Sequence, residues 1–154
     1  MTFEEELKEH GFFIFTNKGD SMRPLIRPGR DVLEISARGA APLRRYDVVL
    51  YKDADRYILH RIIRINHRQS GTEYSALGDH NLRMEHGIQD GQVIGVLTGL
   101  VRDGNTRVGL GSLRYRLYVL FWCRLYPLRI AGQYLINKAR SLCRRVFRKG
   151  ARRG

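Results

Sequence analysis

Ser21 and His60 are the two residues of this 154-residue chain whose type and setting allow covalent catalysis. Ser21 lies in Gly19-Asp20-Ser21-Met22-Arg23-Pro24. There a serine follows a glycine-bearing turn near a strand end and is fixed by a nearby proline, which can present a hydroxyl at a surface groove. A serine hydroxyl is a poor nucleophile and needs a base within hydrogen-bond reach. His60, in Ile58-Leu59-His60-Arg61-Ile62, offers an imidazole whose ordinary pKa of about 6.5 suits that task near neutrality. Each residue alone also has an ordinary reading: serines are common in polar turns, and a histidine on an apolar strand is usually structural. Asp79, His80, Glu85 and His86 bring metal-ligand types together, but their spacing matches no strong ligand motif. No metal or other cofactor is therefore expected.

The elements that must position these residues read as strands. Runs rich in β-branched and aromatic residues occur at 12–16, 31–37, 46–52, 57–66, 73–77 and 92–102. Turn signals separate them, among them Lys18-Gly19-Asp20, Arg27-Pro28-Gly29-Arg30, Ser70-Gly71 and Asp103-Gly104-Asn105. Many strands, frequent turns and little helical periodicity predict a mainly β core, sandwich or barrel-like. Residues 2–10 predict a short helical lead-in, with Thr2 as N-cap before Glu4, Glu5 and Glu6.

The order of the segments is more specific than any one of them. GDSMRPLIRPGRD is followed by YDVVLYK at 46–52, ILHRIIRI at 58–65, LGDHN at 77–81 and VIGV at 93–96. The series resembles the boxes of type I signal peptidases and the related self-cleaving LexA-like repressors, and covers about residues 12–103. The resemblance implies an all-β catalytic domain and a serine endopeptidase acting on an extended peptide or preprotein. It makes Ser21 the nucleophile. A histidine before Arg61, where many members carry lysine, resembles the Ser-His branch shared by endoplasmic-reticulum and archaeal enzymes. The same branch implies an acidic partner for His60, and Asp79 and Glu85 both occupy matching positions, with Asp79 ranked slightly ahead. The oxyanion donor implied is the backbone N–H of Ser21. At Gly19, where some relatives place a hydroxyl donor, this chain has none. Arg30-Asp31, Tyr46-Asp47 and His80 also depart from the family boxes. A LexA-like regulator needs a DNA-binding domain before the nucleophile, and only 20 residues precede Ser21. The rival class is a non-catalytic binding module of the same fold.

Charge divides the chain. Of 28 Lys+Arg, 12 lie in residues 113–154, which contain no acidic residue, while residues 1–112 are nearly neutral. Two units are therefore expected: a catalytic domain over 1–112 and a basic, amphipathic helical tail over 113–154. In the tail Leu128, Ala131, Leu135, Ala139, Leu142 and Val146 recur at helical spacing, with Arg129, Gln133, Arg140, Arg144 and Arg148 on another side. Pro127 is expected to break or kink that helix away from the run Tyr118 to Tyr126. Across 116–136 the apolar residues gain roughly 3–5 kcal/mol on insertion, and Arg124 and Arg129 each cost about 2.5–3.5 kcal/mol. A spanning helix is thus disfavoured, and an interfacial helix on an anionic membrane is expected ahead of a nucleic-acid arm. Cys123 and Cys143 lack ligand spacing and are expected as free thiols in a reducing compartment. MTFEEELKEHGFF lacks the basic-then-apolar layout of a secretory signal. The expectation is accordingly a membrane-peripheral processing peptidase, with a cytoplasmic location as the alternative.

Overall fold

The computed structural model describes residues 2–132. Helix α1 (Phe3–His10) begins at a reciprocal capping box between Thr2 and Glu5, with Glu4, Glu5 and Glu6 in its first turn. Those carboxylates face the positive end of the helix dipole. Gly11, at φ 76°, ends the helix in the left-handed conformation that a glycine adopts without steric cost.

Eight strands follow: β1 (Phe12–Thr16), β2 (Asp31–Ala37), β3 (Val48–Asp53), β4 (Arg56–Arg68), β5 (Gly71–Leu77), β6 (Glu85–Gln89), β7 (Val93–Arg102) and β8 (Thr106–Arg107). They form one antiparallel sheet, curled into a half-barrel, in the order β1-β2-β7-β3-β4-β5-β6, with β8 paired to β7. The mainly β expectation holds, and a C-terminal helix follows the strands. Two strands were not foreseen. β6 contains Glu85, His86 and Gly87, poor strand formers, and exists because β5 offers it a ladder (Tyr74↔Ile88, Ala76↔Glu85). Tyr46 and Asp47 fall before β3, in a turn where Tyr46 adopts φ 80°.

Alternation places two apolar layers on the sheet. Val48 and Leu50 of β3 join a core with Leu33, Ile35, Leu59 and Leu100, whereas Val49 and Tyr51 join a second with Ile62, Tyr74 and Ile88. Such two-sided burial explains why β3 reads as a continuous hydrophobic run. The link between β1 and β2 is pinned rather than loose. Met22 and Ile26 are fully buried in the first core. Buried Asp31 accepts from the Arg27 N–H at 2.9 Å and from Arg102 at 3.1 and 3.0 Å.

After β8, Ser112 caps helix α2 (Leu113–Arg124), its Oγ accepting from the Tyr115 N–H at 3.2 Å. The helix stops at Leu125, two residues before Pro127, and helical backbone resumes over 126–132. This is the break expected at the proline, which has no N–H to donate to the Cys123 carbonyl one turn back. Of the tail stripe, Leu128 and Ala131 are exposed; Leu135, Ala139, Leu142, Val146 and Cys143 lie outside the described residues. Cys123 is a half-buried free thiol, pushed up to about 11 by burial. No helix among the described residues is long and apolar enough to cross a membrane.

Candidate active site

Ser21 follows exposed Asp20 and precedes fully buried Met22. The Met22 side chain anchors the turn in the core, and hydrogen bonds from Arg23 N to the Asp20 carbonyl and from Ile26 N to the Met22 carbonyl close it. Half-buried Ser21 is thereby held at the surface end of a rigid segment. Its N–H has no hydrogen-bond acceptor among the described residues, leaving that donor available to a developing oxyanion.

β4 brings His60 beneath this turn. The two-residue hairpin at Ala54-Asp55 sets the β3–β4 register, pairing Val49 with His60 and Tyr51 with Ile58. Opposed side chains share a face, so His60 points to the side that carries Tyr51. Gly78, at the end of β5, joins the two halves. A Cβ placed there would lie 2.6 Å from the Ser21 carbonyl oxygen and 2.9 Å from His60 Nε2. Only a residue without a side chain lets the Ser21 backbone and the imidazole come together at that point. The His80 N–H then donates to the Ser21 carbonyl at 2.7 Å, tying the 78–81 turn to the serine turn. No hydrogen bond joins Ser21 Oγ to His60 among the described residues. In unliganded sites such bonds are often long and tighten only when substrate binds.

The two acidic candidates go to different places. Glu85, at the start of β6, sets Oε2 3.3 Å from His60 Nδ1. Asp79 instead forms a buried bidentate pair with Arg61, at 2.8 and 2.6 Å, and accepts from the Tyr118 hydroxyl at 2.9 Å. The cause is the strand period: His60 and Arg61 are consecutive, so their side chains leave opposite faces of β4. One face takes Glu85 to the imidazole; the other takes Asp79 to the guanidinium. Asp79 therefore positions the turn, and Arg61, the α2 residues Tyr118 and Trp122, and Arg129 beyond that helix all converge on it.

Protonation at the site follows from burial. His60 is 4 % exposed. Desolvation holds its pKa below the ordinary 6.5, with Glu85 opposing that shift. The tautomer with the proton on Nδ1 suits both neighbours of the neutral imidazole: Glu85 Oε2, an acceptor, lies 3.3 Å from Nδ1, and Asn81 Nδ2, a donor, lies 3.4 Å from Nε2. Tyr51 was not singled out from the sequence. Its hydroxyl donates to Glu85 Oε2 and lies 3.4 Å from His60 Nδ1, and burial raises its pKa so that it stays a donor. The signal was present in the hairpin: a two-residue turn at 54–55 fixes Tyr51 diagonally across from His60. Asn81 carried no comparable signal, since its approach depends on how the 78–81 turn folds back.

A broad depression adjoins the site, lined among others by Tyr51, Asn81, Met84, Glu85 and Tyr126. Ser21 and His60 do not line it; it reaches the imidazole through Glu85 and Asn81. His86, weighed as a metal ligand, places Nδ1 3.0 Å from Ser75 Oγ, and no cluster suited to a metal occurs among the described residues. Neither a protein-family model nor a curated protein matches this chain.

Proposed function

We propose that the protein is a serine endopeptidase of signal-peptidase-like type, cleaving an extended peptide or preprotein segment. The observation that carries this reading is the meeting at Gly78 of the Ser21 backbone and His60 Nε2, with Glu85 on the far nitrogen of the same ring. A nucleophile, a base and a carboxylate that orients the base are the groups acyl transfer requires. Ser21 Oγ attacks the scissile carbonyl and its proton passes to His60 Nε2. Glu85 stabilises the imidazolium, and the Ser21 N–H donates to the oxyanion. The imidazolium then protonates the leaving amine. Water, deprotonated by His60, hydrolyses the acyl-enzyme and returns the proton to Ser21. Asp79 acts one step back, as a positioning residue that fixes Gly78 and His80 against the serine turn.

The test compares wild type, Ser21→Ala and His60→Ala for cleavage of signal-peptide-like substrates and for labelling by a serine-reactive probe. Cleavage and labelling confined to wild type are expected. Equal cleavage and labelling in all three proteins would refute the catalytic reading and favour a binding module of the same fold.

A further inference from the structure

Helix α2 is turned inside out relative to an ordinary surface helix. Its polar and aromatic side faces the protein: Tyr115 bonds Arg61 at 3.0 Å, Tyr118 bonds Asp79 at 2.9 Å, and Trp122 Nε1 donates to the Asp79 carbonyl at 2.7 Å. Beyond Leu125, Tyr126 and Arg129 continue the pattern, donating to the carbonyls of Leu82 and Asp79 at 2.8 and 2.7 Å. The leucine side faces outward. Leu113 is 71 % exposed, Leu117 44 %, Leu120 45 %, Phe121 62 % and Leu128 66 %. At about 100° per residue Leu113, Leu117, Leu120 and Phe121 form one stripe on α2, with Arg124 within it and Arg114 at its edge, and exposed Leu128 follows beyond the break at Leu125. A soluble helix places such a stripe against its core; here the polar seat at Asp79 fixes the opposite rotation.

We propose that this outward face of α2, with exposed Leu128 just beyond it, is a docking surface for an anionic lipid membrane, with Leu117, Phe121 and Leu128 entering the acyl boundary and the arginines meeting headgroups. Charge complementarity selects this occupant. Residues 113–154 hold 12 Lys/Arg and no acidic residue, and arginines beside leucines on one face suit a negatively charged interface. A second copy of the chain would bring Arg114 and Arg124 against like charges. A nucleic acid would meet the arginines but leave the leucine stripe in water. Docking here does not depend on the peptidase reading.

The test measures partition of the full chain onto vesicles of equimolar phosphatidylglycerol and phosphatidylcholine, and onto phosphatidylcholine alone. Each is run at about 0.1 M and about 1 M salt, where the Debye length falls from about 10 Å to about 3 Å. Partition onto anionic vesicles is expected, weakened by salt, and reduced about tenfold or more by Leu117→Glu with Phe121→Glu. Both positions are exposed, so the thermal midpoint should not move; Leu128→Glu gives an independent variant should the double substitution unfold the protein. Partition unchanged by both variants overturns the proposal. So does salt-independent binding equal on the two vesicle types. Duplex DNA binding without vesicle binding, or a dimer lost in the same variants without vesicle binding, overturns it too. A chain inactive on peptides that still partitions as stated would refute the catalytic reading and leave this one standing.

Discussion

Replacing Glu85 by Gln tests the arrangement at its least conventional point. Glu85 Oε2 lies 3.3 Å from His60 Nδ1, and its side chain is 42 % exposed while the imidazole is 5 % exposed. At that separation a unit charge pair is worth about 1 kcal/mol in a water-like medium and about 5 kcal/mol at an effective dielectric of about 20. The solvent at Glu85 screens the pair, so the lower part of that range applies, about 1–2 kcal/mol. In the proposed mechanism the attraction exists only with the imidazolium, which forms as Ser21 attacks. Its loss therefore falls on kcat/KM, by about tenfold per 1.4 kcal/mol. Loss of the oriented Nδ1–H tautomer adds to that, toward the about 10⁴-fold known for carboxylate-to-amide changes in serine-protease triads. The pH profile gives a sharper readout. Glu85 raises the His60 pKa against the dominant effect of burial, so removing its charge must lower that pKa further. The acid limb of kcat/KM, and the His60 ring-proton titration followed by NMR, should both move to lower pH in Glu85→Gln. An upward shift, or an unchanged rate and midpoint, would refute the pairing.

Gly78→Ala should abolish cleavage by about 10²-fold or more, because its Cβ would meet the Ser21 carbonyl oxygen at 2.6 Å; steady-state kinetics against the purified wild type checks this. Asp79→Ala strands a fully buried guanidinium and should cost about 3–5 kcal/mol, read as a lower urea midpoint. In acid, wild type should lose stability relative to His60→Gln. A folded pKa held below 6.5 makes the imidazole's contribution complete above pH 6.5 and lost as pH falls through the folded value. Paired urea titrations across that range measure it, and a difference that grows above pH 6.5 instead would contradict the burial argument.

Much of the strand framework was legible because its signals are local. The β-branched runs and Gly, Pro and Asn turns marked β1 and β2 at their observed bounds, and β3, β4, β5 and β7 within a few residues. Thr2 and Pro127 acted within a few residues of themselves, through a capping hydroxyl and a missing N–H. β6 was not legible, since Glu85-His86-Gly87 becomes a strand only when Tyr74 and Ala76 offer it a partner. The expectation that Ser21, His60, Asp79 and Glu85 act as a set comes from the resemblance of the ordered boxes to signal peptidases, not from the residues' own spacing.

Their division of labour was decided by the tertiary structure. Alternation along β4 sends His60 and Arg61 to opposite faces. Which carboxylate meets which face then depends on how the 78–84 segment turns back between β5 and β6. Spacing in the sequence is silent on that path, so Glu85 at the imidazole and Asp79 at the guanidinium could be seen only once the sheet was closed. The rotation of α2 has the same origin. Its residues alone suit either an inward or an outward leucine stripe, and the buried polar seat at Asp79, assembled from three distant segments, fixes the outward one.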